Sequence, residues 1–492
     1  MEEKIYLTTP IYYANERPHI GHAYTTIAAD ALARYYRWQA KRVFFSMGTD
    51  EHGLKIQETA LRLGKSPASF CDEIAKEFIK TWKLLDISYD RFIRTTDPWH
   101  ENAVKEFLKI LYQKGFIYKG KYKGLYCVGC EQFKSKSDLV GGKCPEHNKE
   151  PEVRKEEAYL FKLSYFQKDL IKLFENNKLE IEPPTRRREI VSFLKKQRLH
   201  DLSISRPREK VSWGIELPFD RAFTCYVWVD AFLNYLSVLG WPKQKENFNK
   251  FWPPDIQLMG KDILRIHATL WPALLLAAGY RLPRKFFCHG YFTIDGQKMS
   301  KTLGNFITPL EVVKKYNVDT LRYFLLREIS FGRDGDFSLA KLKQRYEADL
   351  VNDLGNLVHR VAVMIDKYLG GKIPLLEIKK EKVDLAKIKK ASLLASKEIK
   401  KFDQLINNFR FDEALIWIWQ RVKKANQLVD SSKPWILAKE NSPDLEKVLF
   451  HLTDSLLDIA WFLLPFMPQT AEKIINLYQG PKIKEIKPLF PK

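Results

Sequence analysis

Residues 4 to 53 constrain the fold more tightly than any other stretch. "KIYLTTPIYY" is rich in β-branched and aromatic residues and reads as a strand. From Ile20, the residues Tyr24, Ile27, Ala28, Ala31, Leu32 and Tyr35 recur at three and four, the spacing of one helical face, and Pro18 suits that helix's first turn. "KRVFFSMGTDEHG" then reads as a second, buried strand that ends in a polar loop. Strand, helix and strand in that order form a βαβ unit, which requires a parallel sheet with its ligand at the strands' carboxyl ends. The expected fold is α/β, a Rossmann-type doubly wound parallel sheet.

The rest of the chain is arranged around that sheet. At 492 residues it exceeds a single core of ordinary size and should divide into several domains. The first half of the sheet is expected over 1–114. From 115 to 222, short segments, a Cys- and Gly-rich stretch and the basic run "RRR" at 186–188 read as an insertion. Strand-like "IQLMG" (256–260), a helix starting near 262 and "KFFCHGYF" (285–292) resume the sheet, giving it a second half over 223–292. A loop region follows at 293–345. From 346 to 492 amphipathic helices form an all-α bundle, with Leu415, Ile418, Val422, Ala425 and Leu428/Val429 on one face.

Lys plus Arg number 82 against 60 Asp plus Glu, a formal net charge of +22. Such an excess favours a polyanionic partner, nucleic acid first, over the alternative of a merely basic surface. The opening residues lack the basic start and apolar run of a signal peptide. The longest apolar stretch, "IAWFLLPFM" at 459–467, falls short of the roughly 20 residues that a membrane span needs and is broken by Pro465. Six cysteines are too few and too scattered for a disulfide framework, so a reducing, cytoplasmic setting is expected.

"PHIGH" at 18–22 places His19 and His22 around Gly21 at the start of the expected helix. The free N–H groups and dipole of a helix start attract anions. Two imidazoles there add donors at phosphate height, and Gly21 lets a nucleotide lie against the backbone. Taken alone, the pair suits a capping or core role equally well. "KMSKT" at 298–302 puts Lys298 and Lys301 three apart in a loop that Gly296 and Gly304 leave free to move. On its own it reads as solvated surface, but it follows the sheet's second half, where it can close over the same ligand. Together the two motifs would surround a triphosphate, offering fixed donors where charge builds on phosphoryl oxygens during attack by a carboxylate.

The insertion carries a second signal. Cys127 and Cys130, then Cys144 and His147, form CxxC and CxxH pairs, with Gly129, Gly141 and Gly142 permitting tight knuckles. Four ligands leave no open position, so one structural zinc is expected, the alternative being a redox pair at Cys127 and Cys130. Cys71, Cys225 and Cys288 have no partners in sequence and read as core.

"HIGH" and "KMSKT" resemble the paired signatures, HIGH and KMSKS, of the class I aminoacyl-tRNA synthetases; Thr302 departs from the second but keeps a hydroxyl and both lysines. Within the class the chain resembles the methionyl-tRNA synthetases along nearly its whole length, through "PIYYAN", "GTDEHG", "VWVDAFLNY", "GKDILRIH", "NDLGNLVHR" and "KPW". The resemblance implies an ATP-dependent ligase that makes methionyl-adenylate from L-methionine and then charges tRNA(Met), with Mg²⁺ accompanying the ATP. It implies that His19, Gly21 and His22 hold the ATP phosphates, that Lys298 and Lys301 close on them, and that Asp50 takes the substrate's ammonium. Ile11, Tyr13, Trp228, Phe232, Tyr235, Ile263, Ile266 and His267 match the family's methionine pocket, with Phe232 standing where relatives carry proline. A soft, nearly apolar thioether suits aromatic edges with one weak donor.

The same resemblance implies that Asn356, Arg360 and Trp435 read the CAU anticodon, Asn and Arg through base edges and Trp by stacking. The alternative for Trp435 is a buried wedge between helices. Nothing in the chain resembles the dimerising oligonucleotide-binding domain that some relatives append, so a monomer is expected, with a separate chain able to supply that module. Two rivals differ in kind. One is a related enzyme, either a synthetase for another amino acid or a nucleotidyltransferase, which would lack the KMSK loop and helical tail. The other is a non-catalytic RNA-binding protein with a zinc module, which leaves the pairing of PHIGH with KMSKT unexplained.

Overall fold

The computed structural model describes residues 3–128, 132–134, 139–145, 148–298, 306–374, 397–483 and 486–491, with backbone alone at 122–123, 132–134, 154–156, 298 and 397–398. The chain forms two compact units, Met1–Pro18 with Lys41–His289 and His19–Ala40 with Gly290–Lys492. In chain order, the elements that matter below begin with β1 (Lys4–Tyr13), α1 (Ile20–Trp38), β2 (Arg42–Asp50), β3 (Arg91–Arg94), α2 (Pro98–Gln113), β4 (Glu180–Glu182), α3 (Val227–Phe232), β5 (Ile256–Gly260), α4 (Leu264–Ala278) and β6 (Lys285–His289). They continue with β7 (Phe292–Ile294), β8 (Gln297–Lys298), α5 (Val318–Glu328), β9 (Gly335–Phe337), α6 (Asn356–Leu369), α7 (Lys397–Asn407), α8 (Phe411–Ser432), α9 (Pro434–Lys439), α10 (Asp444–Leu463) and α11 (Pro468–Tyr478).

The first unit is built on a six-stranded sheet in the order β3-β2-β1-β5-β6-β4, parallel throughout. This is the doubly wound arrangement, with its switch of direction between β1 and β5. Pro10, which has no N–H to give a ladder, falls where the β1–β2 register slips, between Thr8↔Ser46 and Ile11↔Gly48. Gly48 is required where β2 faces β3, because a Cβ there would lie 2.0 Å from the Ile93 carbonyl oxygen. The edge strand β4 comes from within the insertion, where a three-residue strand leaves no periodicity to read.

The insertion is also more regular than its composition suggests. Instead of short segments, strands Ile117–Cys127 and Glu152–Phe161 pair as a long antiparallel hairpin, from Ile117↔Phe161 to Tyr126↔Glu152. Lys, Gly and Tyr alternate along "IYKGKYKGLYC", so cross-strand pairing rather than an apolar run defines the strand. Cys127 ends the first of these strands and is buried, as is Cys144 beyond the turn formed by Gly141 and Gly142, both at positive φ. The other two residues of the zinc reading, Cys130 and His147, lie outside the described residues. Among the described residues no group of three or more His, Cys, Asp or Glu side chains is gathered to hold a metal ion. Cys71, Cys225 and Cys288 are buried, and burial pushes the Cys288 thiol up to about 12, so all three serve as core.

The second unit contains α1, three short strands in the order β8-β7-β9, and the helical bundle. The expected stripe on α1 is buried, but so are Thr25, Thr26, Asp30 and Trp38, so the helix is enclosed rather than amphipathic. Tyr24 packs edge-on against Phe292 at 4.3 Å, Tyr35 against Phe402 at 5.6 Å and Trp38 against Phe462 at 6.0 Å. Tyr35 Oη and Gln39 Nε2 both donate to Asp403 Oδ1 on α7, at 3.0 and 2.9 Å. "KFFCHGYF" does not form one strand. It breaks at Gly290 into β6 and β7, and a Cβ at Gly290 would lie 2.4 Å from the Arg333 backbone. The apolar run at 459–467 is the buried end of α10 and the turn after it; among the described residues no helix is long and apolar enough to cross a membrane.

One charged cluster roots α1 in this unit. Arg322 of α5 is fully buried; its Nη2 lies 2.7 Å from Asp30 Oδ2, and its guanidinium donates to the carbonyls of Phe466 and Pro465 at 2.8 and 3.1 Å. Arg34 adds a second cation 2.8 Å from the same carboxylate oxygen. Removing one partner of a buried ion pair costs about 3–5 kcal/mol, because the other charge is left in a low-dielectric interior. Asp30→Asn is therefore expected to lower the thermal midpoint of this unit by at least about 6 °C, read by differential scanning calorimetry. A change below about 1 °C would mean that the two carbonyls alone satisfy Arg322.

Candidate active site

The start of α1 is built by its own histidines. His19 is the N-cap: its Nδ1 accepts the N–H groups of Gly21 and His22 at 3.0 and 3.4 Å, while His22 Nδ1 accepts the N–H of His19 at 3.3 Å. The two rings stack with centroids 3.7 Å apart. A ring nitrogen that accepts carries no proton, so each neutral imidazole bears its proton on Nε2, on the side away from the cap. Enclosure by protein and the neighbouring His19 ring hold His22 well below the ordinary histidine value, keeping it neutral. This corrects two expectations. Pro18 precedes the cap instead of opening the helix, and the first backbone N–H groups are not free for an anion, since Ile20 N–H donates to the Ile307 carbonyl at 3.1 Å. Capping occupies only the Nδ1 atom of each ring.

That last hydrogen bond also brings Ile307 to the helix start. Phe306, whose ring meets His19 edge-on at 5.4 Å, and Ile307 stand beyond Thr302 in sequence, and residues 299–305 lie outside the described residues. On the other side of the KMSKT segment, β7 and β8 form a hairpin whose turn is Asp295 and Gly296, both at positive φ, with the Gly296 N–H held by Asp336 Oδ1 at 2.7 Å. Gly296 therefore makes a tight turn, not the free hinge expected of it. The Lys298 backbone lies in β8; its side chain and all of Lys301 lie outside the described residues.

The residues expected to bind methionine all belong to the first unit. Tyr13 and Asp50 are paired neighbours at the carboxyl ends of β1 and β2. Phe232, Tyr235 and His267 are buried, while Ile11, Tyr13, Trp228, Ile263 and Ile266 are half-buried against the same apolar cluster. The Phe232 ring meets His267 edge-on at 4.8 Å and stacks on Trp271 at 5.5 Å, and Trp228 lies 5.8 Å from Phe232. His267 Nδ1 lies 2.9 Å from the Ile263 carbonyl, which can only accept, so Nδ1 carries the proton and Nε2 accepts from Tyr235 Oη at 3.1 Å. Burial lowers His267 to about 4. The Tyr235 hydroxyl is thus already engaged by a neutral imidazole.

In the second unit Asn356 is exposed and Arg360, one turn further along α6, is half-buried with Nη2 3.0 Å from Asp430 Oδ1. Trp435 opens α9 with 38% of its surface exposed, so it is not the buried wedge.

With this geometry in view, the relatives are informative. The family model described as tRNA synthetases class I (M) matches residues 5–150 and 138–362. Methionine–tRNA ligase of Caldanaerobacter subterraneus is 44% identical over all of this chain and 79% of its own length, and that of Thermotoga maritima is 44% identical over 96% of this chain and 75% of its own. The chain belongs to the methionyl-tRNA synthetases. Among solved structures, the Mycobacterium tuberculosis synthetase in complex with methionyl-adenylate superposes with a TM-score of 0.91 at 36% identity, covering 100% of both chains. The apo form of that enzyme gives 0.83 at 33% identity, over 100% of this chain and 98% of its own.

Sequence reasoning passed over one constellation in this synthetase. His52 and His100 both bind Asp230, as described below, and Arg94 grips Glu51 through two hydrogen bonds of 2.8 Å. His52 and Glu51 stand inside "GTDEHG" and Asp230 inside "VWVDAFLNY". The available signal was a carboxylate within an aromatic, core-like run, which demands a buried partner.

The state of His267 is directly measurable. Its folded-state value of about 4 lies below the ordinary 6.5, so the neutral ring contributes stability above about pH 6.5 that is lost as pH falls toward 4. The contribution is about 3 kcal/mol. Nitrogen NMR of the histidine rings is expected to find one ring protonated on Nδ1 alone and unchanged down to about pH 5, absent from the spectrum of His267→Asn. A His267 resonance titrating near pH 6.5 would contradict the placement.

Proposed function

We propose that this synthetase activates L-methionine with ATP, releasing pyrophosphate, and then esterifies the 3′ end of tRNA(Met), acting in the cytoplasm. The observation that carries the reading is the apposition of the segment following KMSKT to the capped histidines, through Ile307 and Phe306. The full-length similarity to methionine–tRNA ligases supports the substrate.

The methionine carboxylate is the nucleophile and no protein side chain need act as one, so the chain supplies position and charge. The Nε2–H groups of His19 and His22 donate to the ATP phosphates, with Gly21 allowing close approach. Lys298 and Lys301 neutralise the charge that moves onto the departing pyrophosphate. Asp50 receives the ammonium. Ile11, Tyr13, Trp228, Phe232, Tyr235, Ile263, Ile266 and His267 enclose the thioether, and the neutral state of His267 keeps that enclosure uncharged. Mg²⁺ bound with the ATP would supply further screening of the phosphates.

Residues 346–492 supply the anticodon surface, with Asn356 and Arg360 at base edges and exposed Trp435 as a stacking face. Cys127, Cys130, Cys144 and His147 hold one structural zinc. The burial of Cys127 and of Cys144, which follows the Gly141–Gly142 turn, suits a closed N/S site.

Two assays separate the reading from its rivals. Exchange of labelled pyrophosphate into ATP, run once with each amino acid, is expected to proceed with methionine alone; exchange with another amino acid, or with none, would overturn the assignment. Trp435→Ala is expected to reduce aminoacylation of tRNA(Met) at least tenfold, about the cost of losing one base stack, while pyrophosphate exchange stays nearly intact. Equal loss in both assays would place Trp435 in the fold and not on the RNA.

A further inference from the structure

A buried carboxylate that the chemistry above does not use lies behind the methionine pocket. Asp230 sits in α3, 1% exposed, with each oxygen on a histidine: Oδ2 lies 2.7 Å from His52 Nδ1 and Oδ1 lies 2.8 Å from His100 Nε2. His100 Nδ1 continues to Ser237 Oγ at 2.7 Å. Burial disfavours both charges, yet the pair wins: His52 is raised above its ordinary value by Asp230, and Asp230 is held below its own by His52 and His100. A buried ion pair is a poor source of stability, since well-packed apolar residues hold a core at least as well. What it does supply is a fixed register between the elements it joins.

The elements it joins are the two arms of the amino-acid site. Trp228, Phe232 and Tyr235 recur at i, i+4 and i+7 along α3 and the short helix Asn234–Ser237 that follows, so they share the face turned to His267. Asp230, two residues beyond Trp228, points from the opposite face. His52 stands two residues beyond Asp50, and the residue between them, Glu51, is pinned by Arg94, Thr49 and Thr96. A displacement of His52 therefore carries the end of β2 with it.

We propose that Asp230 is a positioning residue, tying the helix that recognises the thioether to the strand end that recognises the ammonium, so that both arms stand at one fixed separation. The proposal rests on the methionine-site assignment above. It makes affinity for a ligand that engages both arms depend on Asp230 far more than affinity for a ligand that engages one.

The test compares methionine with 4-(methylthio)butanoate, which keeps the thioether and carboxylate but lacks the ammonium, as inhibitors or substrate in pyrophosphate exchange. Asp230→Asn is expected to raise the KM for methionine at least tenfold, with the KM for ATP and the inhibition constant of the des-amino analogue each changed less than threefold. His52→Ala should reproduce that selective loss without touching the helix, and His52→Asn, whose amide reaches the place of Nδ1, should restore at least half of the affinity. Equal weakening of both ligands, or none, overturns the coupling. Trp228→Ala, measured in parallel, separates the causes: if it weakens methionine while Asp230→Asn does not, the pocket stands and the coupling falls. If neither variant alters the KM for methionine, the pocket assignment itself fails and the coupling falls with it.

Discussion

The hydrogen bonds that cap α1 are the constraint on which the proposed chemistry depends. By taking the Gly21 and His22 amides onto His19 Nδ1, and the His19 amide onto His22 Nδ1, the helix start consumes the ring nitrogens nearest the backbone and leaves the protons on the Nε2 atoms. In the proposed chemistry an anion meets imidazole N–H groups set by stacking and capping, not a ring of loose backbone amides. The Ile20 amide, the remaining donor at the helix start, reaches the Ile307 carbonyl and draws the chain that follows KMSKT to the same place. The start of α1 and Ile307, remote in sequence, are joined by one backbone hydrogen bond.

The division of the chain gives that joint a mechanical setting. Helix α1 lies between β1 and β2 in sequence but belongs with the bundle, through Asp30 and Arg322, Tyr35 and Asp403, and the rings of Trp38 and Phe462. The histidines are therefore carried by a helix whose other end is bonded to α7 in the region proposed to read the anticodon. In the first unit a different logic holds. The proposed thioether pocket is kept uncharged, with His267 neutral and its acceptor nitrogen occupied, while the ionic work is moved one layer back to Asp230, His52 and His100.

Much of this was legible in the sequence, and the failures have physical causes. The strands β1 and β2 and the helix α1 are written in hydrophobic spacing, and the HIGH and KMSK motifs in residue chemistry. The order of strands beyond β1 and β2, the edge strand β4 and the break at Gly290 depend on backbone approaches, such as that of Arg333, which no local pattern encodes. Gly296 was misread because a glycine in a type I′ turn and a glycine in a free hinge look alike in one dimension. Asp230 was overlooked because a carboxylate in an aromatic run has meaning only once its histidine partners, far off in sequence, are known. That α1 would be enclosed on every side, with Asp30 buried, is likewise a property of its neighbours in space.

The central claim is that the proton-bearing nitrogens of His19 and His22, with the lysines of KMSKT, act on one triphosphate while the capping hydrogen bonds persist. A crystal structure of the protein with methionine and a non-hydrolysable ATP analogue tests it most directly. The account predicts phosphate oxygens within hydrogen-bond reach of both Nε2 atoms and of the Lys298 and Lys301 ammonium groups, with His19 Nδ1 still on the Gly21 amide. Phosphates bonded instead to the Ile20, Gly21 and His22 amides, with the imidazoles turned away or the lysines on a different face, would contradict it.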